Sequence, residues 1–372
     1  MEQSNITTQT STEPAIDLSR SPIVQIGLVV ADAVRTAGNY ARLFGLGPWV
    51  FDDTTADRTI LHGRKFEGPN SYVRGTVANF ANVQLELIEP LWGASSHLAY
   101  LRDHGEGVQH LSFGILDRYD DALAAWQQRG IELESQGVVG GCIFVSYADT
   151  IKELGAHLEL IRPLKPDDQP ALGQWGMTAR PSEFIAAMAG RAIRQLGIVV
   201  RDVEQTVRHY EDLLGVGPWT ISGTGEGGGG DTPKADARQL VTWKGNEGDQ
   251  DSALAEPTAW TLHGVPMLQS EMHLKTALCD WNGFQIKLIE PLAKPGVYWE
   301  FLNRRGPGVH HLGFGHVDDY DSLLDQFAAN GIAVDMTGTV GVTGRFAHLA
   351  TAKELGVTFQ IAHMPDGGDV SV

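Results

Sequence analysis

The sequence predicts an α+β fold made of two tandem, homologous domains, each carrying a strand–helix–strand–strand–strand pattern that recurs within it. Two internal repeats and one alternation of element types carry that reading. Residues 24–51 (VQIGLVVADAVRTAGNYARLFGLGPWVF) align with 194–221 (RQLGIVVRDVEQTVRHYEDLLGVGPWTI) at an offset of 170, so that Gln25/Gln195, Gly27/Gly197, Asp32/Asp202, Tyr40/Tyr210 and Trp49/Trp219 coincide. LIEPL at 87–91 returns at 288–292, GVQHLSFG at 107–114 returns as GVHHLGFG at 308–315, and KELG at 152–155 returns at 353–356, all at an offset of 201. The change in offset places 31 extra residues in the second copy between 219 and 287, where the glycine-rich stretch GTGEGGGGDTPKADAR lies. Boundaries follow from the repeats. They are a polar tail at 1–21, expected to be disordered, an N-terminal domain at 22–164, a linker at 165–189, a C-terminal domain at 190–364 with its insertion at about 222–275, and a tail at 365–372. A short helix is expected near Pro181–Gly190.

The elements of the first copy can be justified in order. IVQIGLVV at 23–30 is a strand whose Val24, Ile26, Leu28 and Val30 form the apolar face. Asp32 then fits an N-cap for a helix running to about Leu43, and Gly45 and Gly47 end it. Strands follow, the last being VQLELIEP at 83–90. VQHLSFGI at 108–115 opens the second half as a strand, Tyr119 to Gly130 reads as a helix, IELES at 131–135 begins further strands, and AHLELIRP at 156–163 closes the domain. Short strands in this order do not make a doubly wound nucleotide fold. Gly223–Gly228 satisfies GxGxxG, but more glycine and then Asp-Thr-Pro follow instead of a helix, so it is not read as a nucleotide fingerprint.

Composition narrows the function classes. Against 28 Lys and Arg stand 46 Asp and Glu, a formal net charge of −18, which disfavours nucleic acid and anionic membrane as partners. With 42 % hydrophobic and 20 % charged residues the chain is an ordinary globular mixture. It contains no run of about 18 apolar residues. The N-terminus lacks a basic start followed by an apolar stretch, so no secretory signal is read and the cytoplasm is the expected compartment. The two cysteines, Cys142 and Cys279, exclude a disulfide framework and a Cys-rich zinc site, and both are read as inert thiols. Trp49 and Trp219 follow GxGP turns and are read as packing residues.

Side chains alternate along a strand, and four strands of the first copy each carry a polar group mid-strand: Gln25, Glu86, His110 and Glu159. Singly, each reads as the wet face of a half-exposed strand. Together, an amide oxygen, two carboxylates and an imidazole are the ligand types of a divalent cation, and two inward carboxylates without one would repel and raise one pKa. His310, next to His311, alternates to the opposite face, so the two are not expected to form one chelate.

These repeats and motifs resemble the vicinal oxygen chelate superfamily, which includes glyoxalase I, methylmalonyl-CoA epimerase, extradiol dioxygenases and bleomycin-resistance proteins. The resemblance covers both domains. It implies paired βαβββ modules, each domain's mixed sheet curling openly around a metal site. It also implies the ligand positions: the polar residue of the first strand, the residue four before the proline of the LIEP strand, the histidine of the GV-x-H strand and the Glu of the closing LEL strand. In this chain those are Gln25, Glu86, His110 and Glu159. The second copy departs from the pattern with Gln195, Lys287, His311 and Gln360, and is read as a degenerate, metal-free site because an ammonium repels a cation.

The expectation is therefore one divalent ion per chain (Zn, Ni, Co, Mn or Mg), in the N-terminal domain, with modules paired within each domain. Exchange between domains would put Glu86 with His311, and Lys287 beside His110 and Glu159. Glu86 and Glu159 are the expected catalytic bases of an isomerase, epimerase or lyase that moves a proton α to a carbonyl of a small organic substrate. A non-catalytic small-molecule binding or resistance protein is the alternative. An extradiol-type dioxygenase, which usually needs two histidines and one carboxylate, is the third reading. A small-molecule substrate is the expected partner, and a homo-oligomer is left open.

Overall fold

A computed structural model describes residues 14–139, 143–164, 188, 190–223, 260–267, 272–294, 296–340 and 344–364. In the first domain, β1 (Gln25–Val29), α1 (Ala33–Phe44), β2 (Val50–Leu61), β3 (Arg64–Asn79) and β4 (Gln84–Gly93) form one module, and β5 (Gly107–Ile115), α3 (Tyr119–Gln128), β6 (Leu133–Val139), β7 (Ile143–Ala148), α4 (Ile151–Leu154) and β8 (His157–Pro163) form the next. Helix α2 (Ser96–His104) joins the two modules. The second domain repeats this with β9 (Gln195–Val199), α5 (Val203–Leu214), β10 (Thr220–Gly223), β11 (Trp260–Leu262), β12 (Val265–Met267), β13 (Leu274–Trp281) and β14 (Phe284–Pro291). After α6 (Val297–Arg305) come β15 (Gly308–His316), α7 (Tyr320–Ala329), β16 (Val334–Val340), β17 (Gly344–Leu349), α8 (Ala352–Leu355) and β18 (Thr358–His363). The α+β fold with tandem paired modules is as expected. The joining helices α2 and α6 are additional to the expected pattern.

The caps follow from sequence. The Asp32 carboxylate accepts from Arg35 N at 2.8 Å, and Gly45 adopts φ 66, a left-handed turn that closes α1 on Ala41 O. Asp202 and Gly215, with φ 67, do the same for α5. The repeated LIEP glutamates also find their reason here. Glu89 Oε2 accepts from Ala33 N at 3.1 Å and Glu290 Oε2 from Val203 N at 2.9 Å, so each satisfies an orphan amide at a helix start.

Each domain pairs its own modules. The first sheet runs β1-β4-β3-β2-β6-β7-β8-β5, with β5 returning to β1. It is therefore a closed barrel where an open curve was expected. The closure comes from the long β2–β3 hairpin, whose far end pairs Ile60 with Gln136 and Leu61 with Ser135 on β6. Among the described residues the second domain makes a ten-stranded sheet in the order β10-β13-β14-β9-β15-β18-β17-β16-β11-β12. Here the counterpart of that hairpin is divided into a β10–β13 pair and the short β11–β12 pair.

One hydrophobic core spans both domains. Phe44 of α1 meets Phe314, Phe327 and Phe359 of the second domain edge-on, at centroid distances of 5.5, 5.9 and 4.7 Å. Tyr40 donates to Leu355 O and Tyr210 donates to Leu154 O, both at 2.9 Å, so each copy's first helix rests on the other's KELG turn. Residues 14–21, expected to belong to a disordered tail, instead cross onto the second domain. Ile16 and Leu18 are buried there, and Leu18 O accepts from Trp281 Nε1 at 2.9 Å. Their apolar side chains outweigh the polar composition around them. Residues 1–13, the linker with its expected helix, most of the insertion including the GxGxxG stretch beyond Gly223, Cys142 and the C-terminal tail lie outside the described residues.

Candidate metal and active site

β1 runs through the centre of the first site. Glu86 on β4 and His110 on β5 both pair with Gly27, one from each side. His110 lies over Gly27, where any Cβ would overlap its imidazole. Its Nε2 is 3.4 Å from Glu86 Oε2, so a within-domain site is what the fold assembles. Glu159 on β8 stands opposite Ser112 and Tyr147, whose hydroxyls donate to its carboxylate.

His110 and Glu159 are buried, whereas the Glu86 side chain keeps 22 % of its surface exposed. Burial raises the Glu159 pKa and the charge of Glu86 adds to it, against the pull of His110 and the two hydroxyls. For His110 burial acts downward, but Glu159 and Glu86 outweigh it and the pKa is raised. His110 Nε2 and Glu159 Oε2 are both buried without a hydrogen-bond partner.

Gln25 shares this face of β1, but its amide Nε2 donates to Gln84 Oε1 at 2.7 Å. Glu86, His110 and Glu159 thus surround one spot without closing into a group whose ligand atoms all lie within 4.8 Å of one another. Their donor chemistry still fits a divalent cation: two carboxylates, one imidazole, and two buried polar atoms left unsatisfied.

Sequence alternation placed Gln109 opposite His110. The ladder shifts register between Gly27 and Leu28, so Gln109 is the extra residue of a β-bulge and turns inward. Its Oε1 accepts from His110 Nδ1 at 2.9 Å and from His97 Nδ1 at 3.1 Å. An amide oxygen only accepts, so His110 carries a proton on Nδ1, and Nε2 is the ring nitrogen that faces Glu86 and is left for a metal. Burial, with the charge of His110, drives the His97 pKa down to about 3. Neither Gln109 nor His97 was singled out from sequence, because strict alternation conceals a bulge residue and His97 lies on the joining helix.

The same bulge recurs at His310, between the pairs Val309–Ile198 and His311–Gly197. The expectation that His310 faces away from His311 is therefore corrected: the extra residue breaks the alternation, and both imidazoles turn to the concave face. His311 lies over Gly197 as His110 lies over Gly27. Its Nε2 is 3.1 Å from Gln195 Oε1, and His348 Nε2 is 2.9 Å from Gln360 Oε1. Burial lowers the Lys287 pKa, and its charge acts on both His311 and His348. Around these groups the concave face is filled by Trp260, Met272, Tyr298, Met336 and Phe346. At the offset of 201 the last four correspond to Ser71, His97, Ser135 and Val145. The first domain thus keeps small or polar side chains where the second is plugged with large apolar ones.

The sequence profile of the Glyoxalase/Bleomycin resistance protein/Dioxygenase superfamily matches residues 24–147 and 194–348, most of both domains. The chain belongs to this superfamily. The fold agrees with that of a triple-mutant 4-hydroxymandelate synthase from Streptomyces coelicolor, at 15 % identity over 92 % of each chain with a TM-score of 0.55. Also similar are a Mn(II)-bound glyoxalase from Novosphingobium aromaticivorans and methylmalonyl-CoA epimerase from Mycobacterium tuberculosis. The glyoxalase is 12 % identical over 92 % of this chain and 82 % of that one, TM-score 0.43. The epimerase is 18 % identical over 47 % of this chain and 89 % of that one, TM-score 0.29. No curated protein sequence matches the chain. Within this superfamily chain, the groups expected to pack do so. Trp49 is fully buried with Nε1 on Leu46 O, Trp219 repeats that bond to Val216 O, and burial pushes the Cys279 thiol up to about 12. Among the described residues no helix is long and apolar enough to cross a membrane.

Proposed function

We propose that the N-terminal barrel is a divalent-metal-dependent isomerase, epimerase or lyase site that moves a proton α to a carbonyl of a small organic substrate. The observation that supports this most is Glu159. It is a buried carboxylate of raised pKa, with one oxygen free of hydrogen bonds, beside His110 and Glu86. A dication held by Glu86, His110 and Glu159, with Gln25 completing the set, would polarise a substrate carbonyl and stabilise an enolate. Glu159 is placed to take a proton, because its carboxylate stands buried beside His110 and Glu86 with one oxygen free of hydrogen bonds. Ser112 and Tyr147 hold it in place. Glu86, partly exposed, is the second base, and it can return the proton at the same or the neighbouring carbon. Gln109 keeps the His110 tautomer that offers Nε2.

The test is α-proton exchange of carbonyl compounds in D₂O, followed by NMR with metal-loaded protein. Exchange that disappears in Glu159→Gln supports the reading. Absence of exchange across the carbonyl panel, with bound ligands detected and no metal retained by the N-terminal set, points to the non-catalytic binder instead.

A further inference from the structure

We infer that the C-terminal domain holds a second, chemically different metal site: a transition-metal dication of the Zn²⁺, Ni²⁺ or Cu²⁺ class on His310, His311 and His348. The three imidazoles reach one spot from β15 and β17. One ring nitrogen from each lies within 4.8 Å of the other two, and among the described residues this is the group of three or more His, Cys, Asp or Glu side chains so gathered. The bulge at His310 makes this possible by adding a second inward ring to β15.

The tautomers are set from outside. His311 Nε2 and His348 Nε2 each face a glutamine carbonyl oxygen, Gln195 Oε1 at 3.1 Å and Gln360 Oε1 at 2.9 Å. The Gln195 amide is itself oriented, because its Nε2 donates to Gln285 Oε1 at 2.5 Å. Amide oxygens accept, so both Nε2 atoms carry protons and both Nδ1 atoms carry lone pairs. His310 Nδ1 lies 3.2 Å from His311 Nδ1. His348 Nδ1 is buried with no hydrogen-bond partner, a cost that a ligand on that atom removes. Imidazoles whose outer nitrogens are tied to carbonyl oxygens are the usual form of metal-bound histidine.

An all-nitrogen, uncharged donor set selects borderline ions over Mg²⁺ and Ca²⁺. The corresponding positions of the first domain are Gln109, His110 and Tyr147, so this set is particular to the second copy. Lys287 opposes it, since its charge acts on His311 and His348.

The experiment is a Cu²⁺ titration of the full chain carrying Glu86→Gln and Glu159→Gln, read by electron paramagnetic resonance with Zn²⁺ competition. One tight, Zn²⁺-displaceable Cu²⁺ per chain is expected, with coupling to several imidazole nitrogens. Adding His348→Gln or His310→Gln to that chain should weaken it at least about tenfold, at unchanged near-UV circular dichroism. No nitrogen-coupled Cu²⁺ in the parent chain, or equal affinity after folded histidine variants, would overturn the site. Because the carboxylates of the N-terminal set are removed throughout, this outcome is independent of the reading of the first domain.

Discussion

Gly27 is the floor on which His110 lies: the imidazole occupies the space that any Cβ at position 27 would fill. Gly197 and His311 repeat the relationship. The glycine of the repeated Q-x-G strand is thus required by close approach and not by backbone conformation, and it lets a ring lie across the strand between two ladder neighbours.

Gly27→Ala should therefore displace His110 while leaving the apolar face of β1 intact. Overpacking of this kind costs about 1–3 kcal/mol. The expected outcome is a folded chain with weakened metal retention and activity. Thermal melting together with metal analysis checks it, and unchanged retention would count against the geometry.

Glu86→Gln and Glu159→Gln should each lower turnover by about 100-fold or more, since each loses a charged donor and a proton acceptor. Steady-state kinetics on a substrate found by the exchange screen decide this. Near-wild-type rates in both variants would remove the carboxylates from the mechanism.

Gln109→Leu should weaken metal retention by about 10–100-fold without removing a ligand, because it frees the His110 ring to change tautomer. Gln109→Glu, which keeps an acceptor toward both Nδ1 atoms, should retain more affinity than the leucine variant. Equal loss in the two variants would mean that Gln109 only packs.

The metal-free chain should lose stability in mild acid. Burial holds His97 and His348 at about 3 in the folded state, against 6.5 when unfolded. Between those values the unfolded chain binds protons that the folded chain does not, so stability falls as pH falls below 6.5, by about 1 kcal/mol per pH unit for each group. His110, with its raised pKa, works in the other direction. His348→Phe should reduce the loss measured by denaturant melts between about pH 7.5 and 5.5, and an unchanged acid slope would contradict this.

Phe44→Ala should destabilise both domains together, by about 3–5 kcal/mol, because its ring is shared with Phe314, Phe327 and Phe359. A single cooperative transition moving to lower denaturant, seen by probes in each half, is expected. Separate transitions would show that the halves unfold independently.

Much of the architecture was legible because it repeats. Asp32 and Gly45 bound a helix by local chemistry, and their counterparts Asp202 and Gly215 recur at a fixed offset. Alternation set Glu86, His110 and Glu159 each opposite the apolar face of its own strand, the family resemblance grouped them, and the ladder puts Glu86 and His110 on either side of β1. Ile16 and Leu18 were harder to place, since two apolar residues in a polar segment declare nothing until the surface of α5 and Trp281 is present to receive them.

Sequence by itself determined the tandem organisation, the α+β class, the helix caps and the polar set of the first domain, because these depend on local conformation, period and copy-to-copy identity. Tertiary structure decided what depends on register between distant strands. It closed the first sheet at Ile60–Gln136 and Leu61–Ser135, and turned Gln109 and His310 inward through bulges. It also filled the second concave face with Trp260, Met336 and Phe346 while leaving the first lined by smaller residues. A bulge is one unpaired residue, visible only against the partner strand, and it reverses the face of that side chain. For that reason a histidine assigned by alternation to the opposite face of its strand stands instead beside His311 and His348.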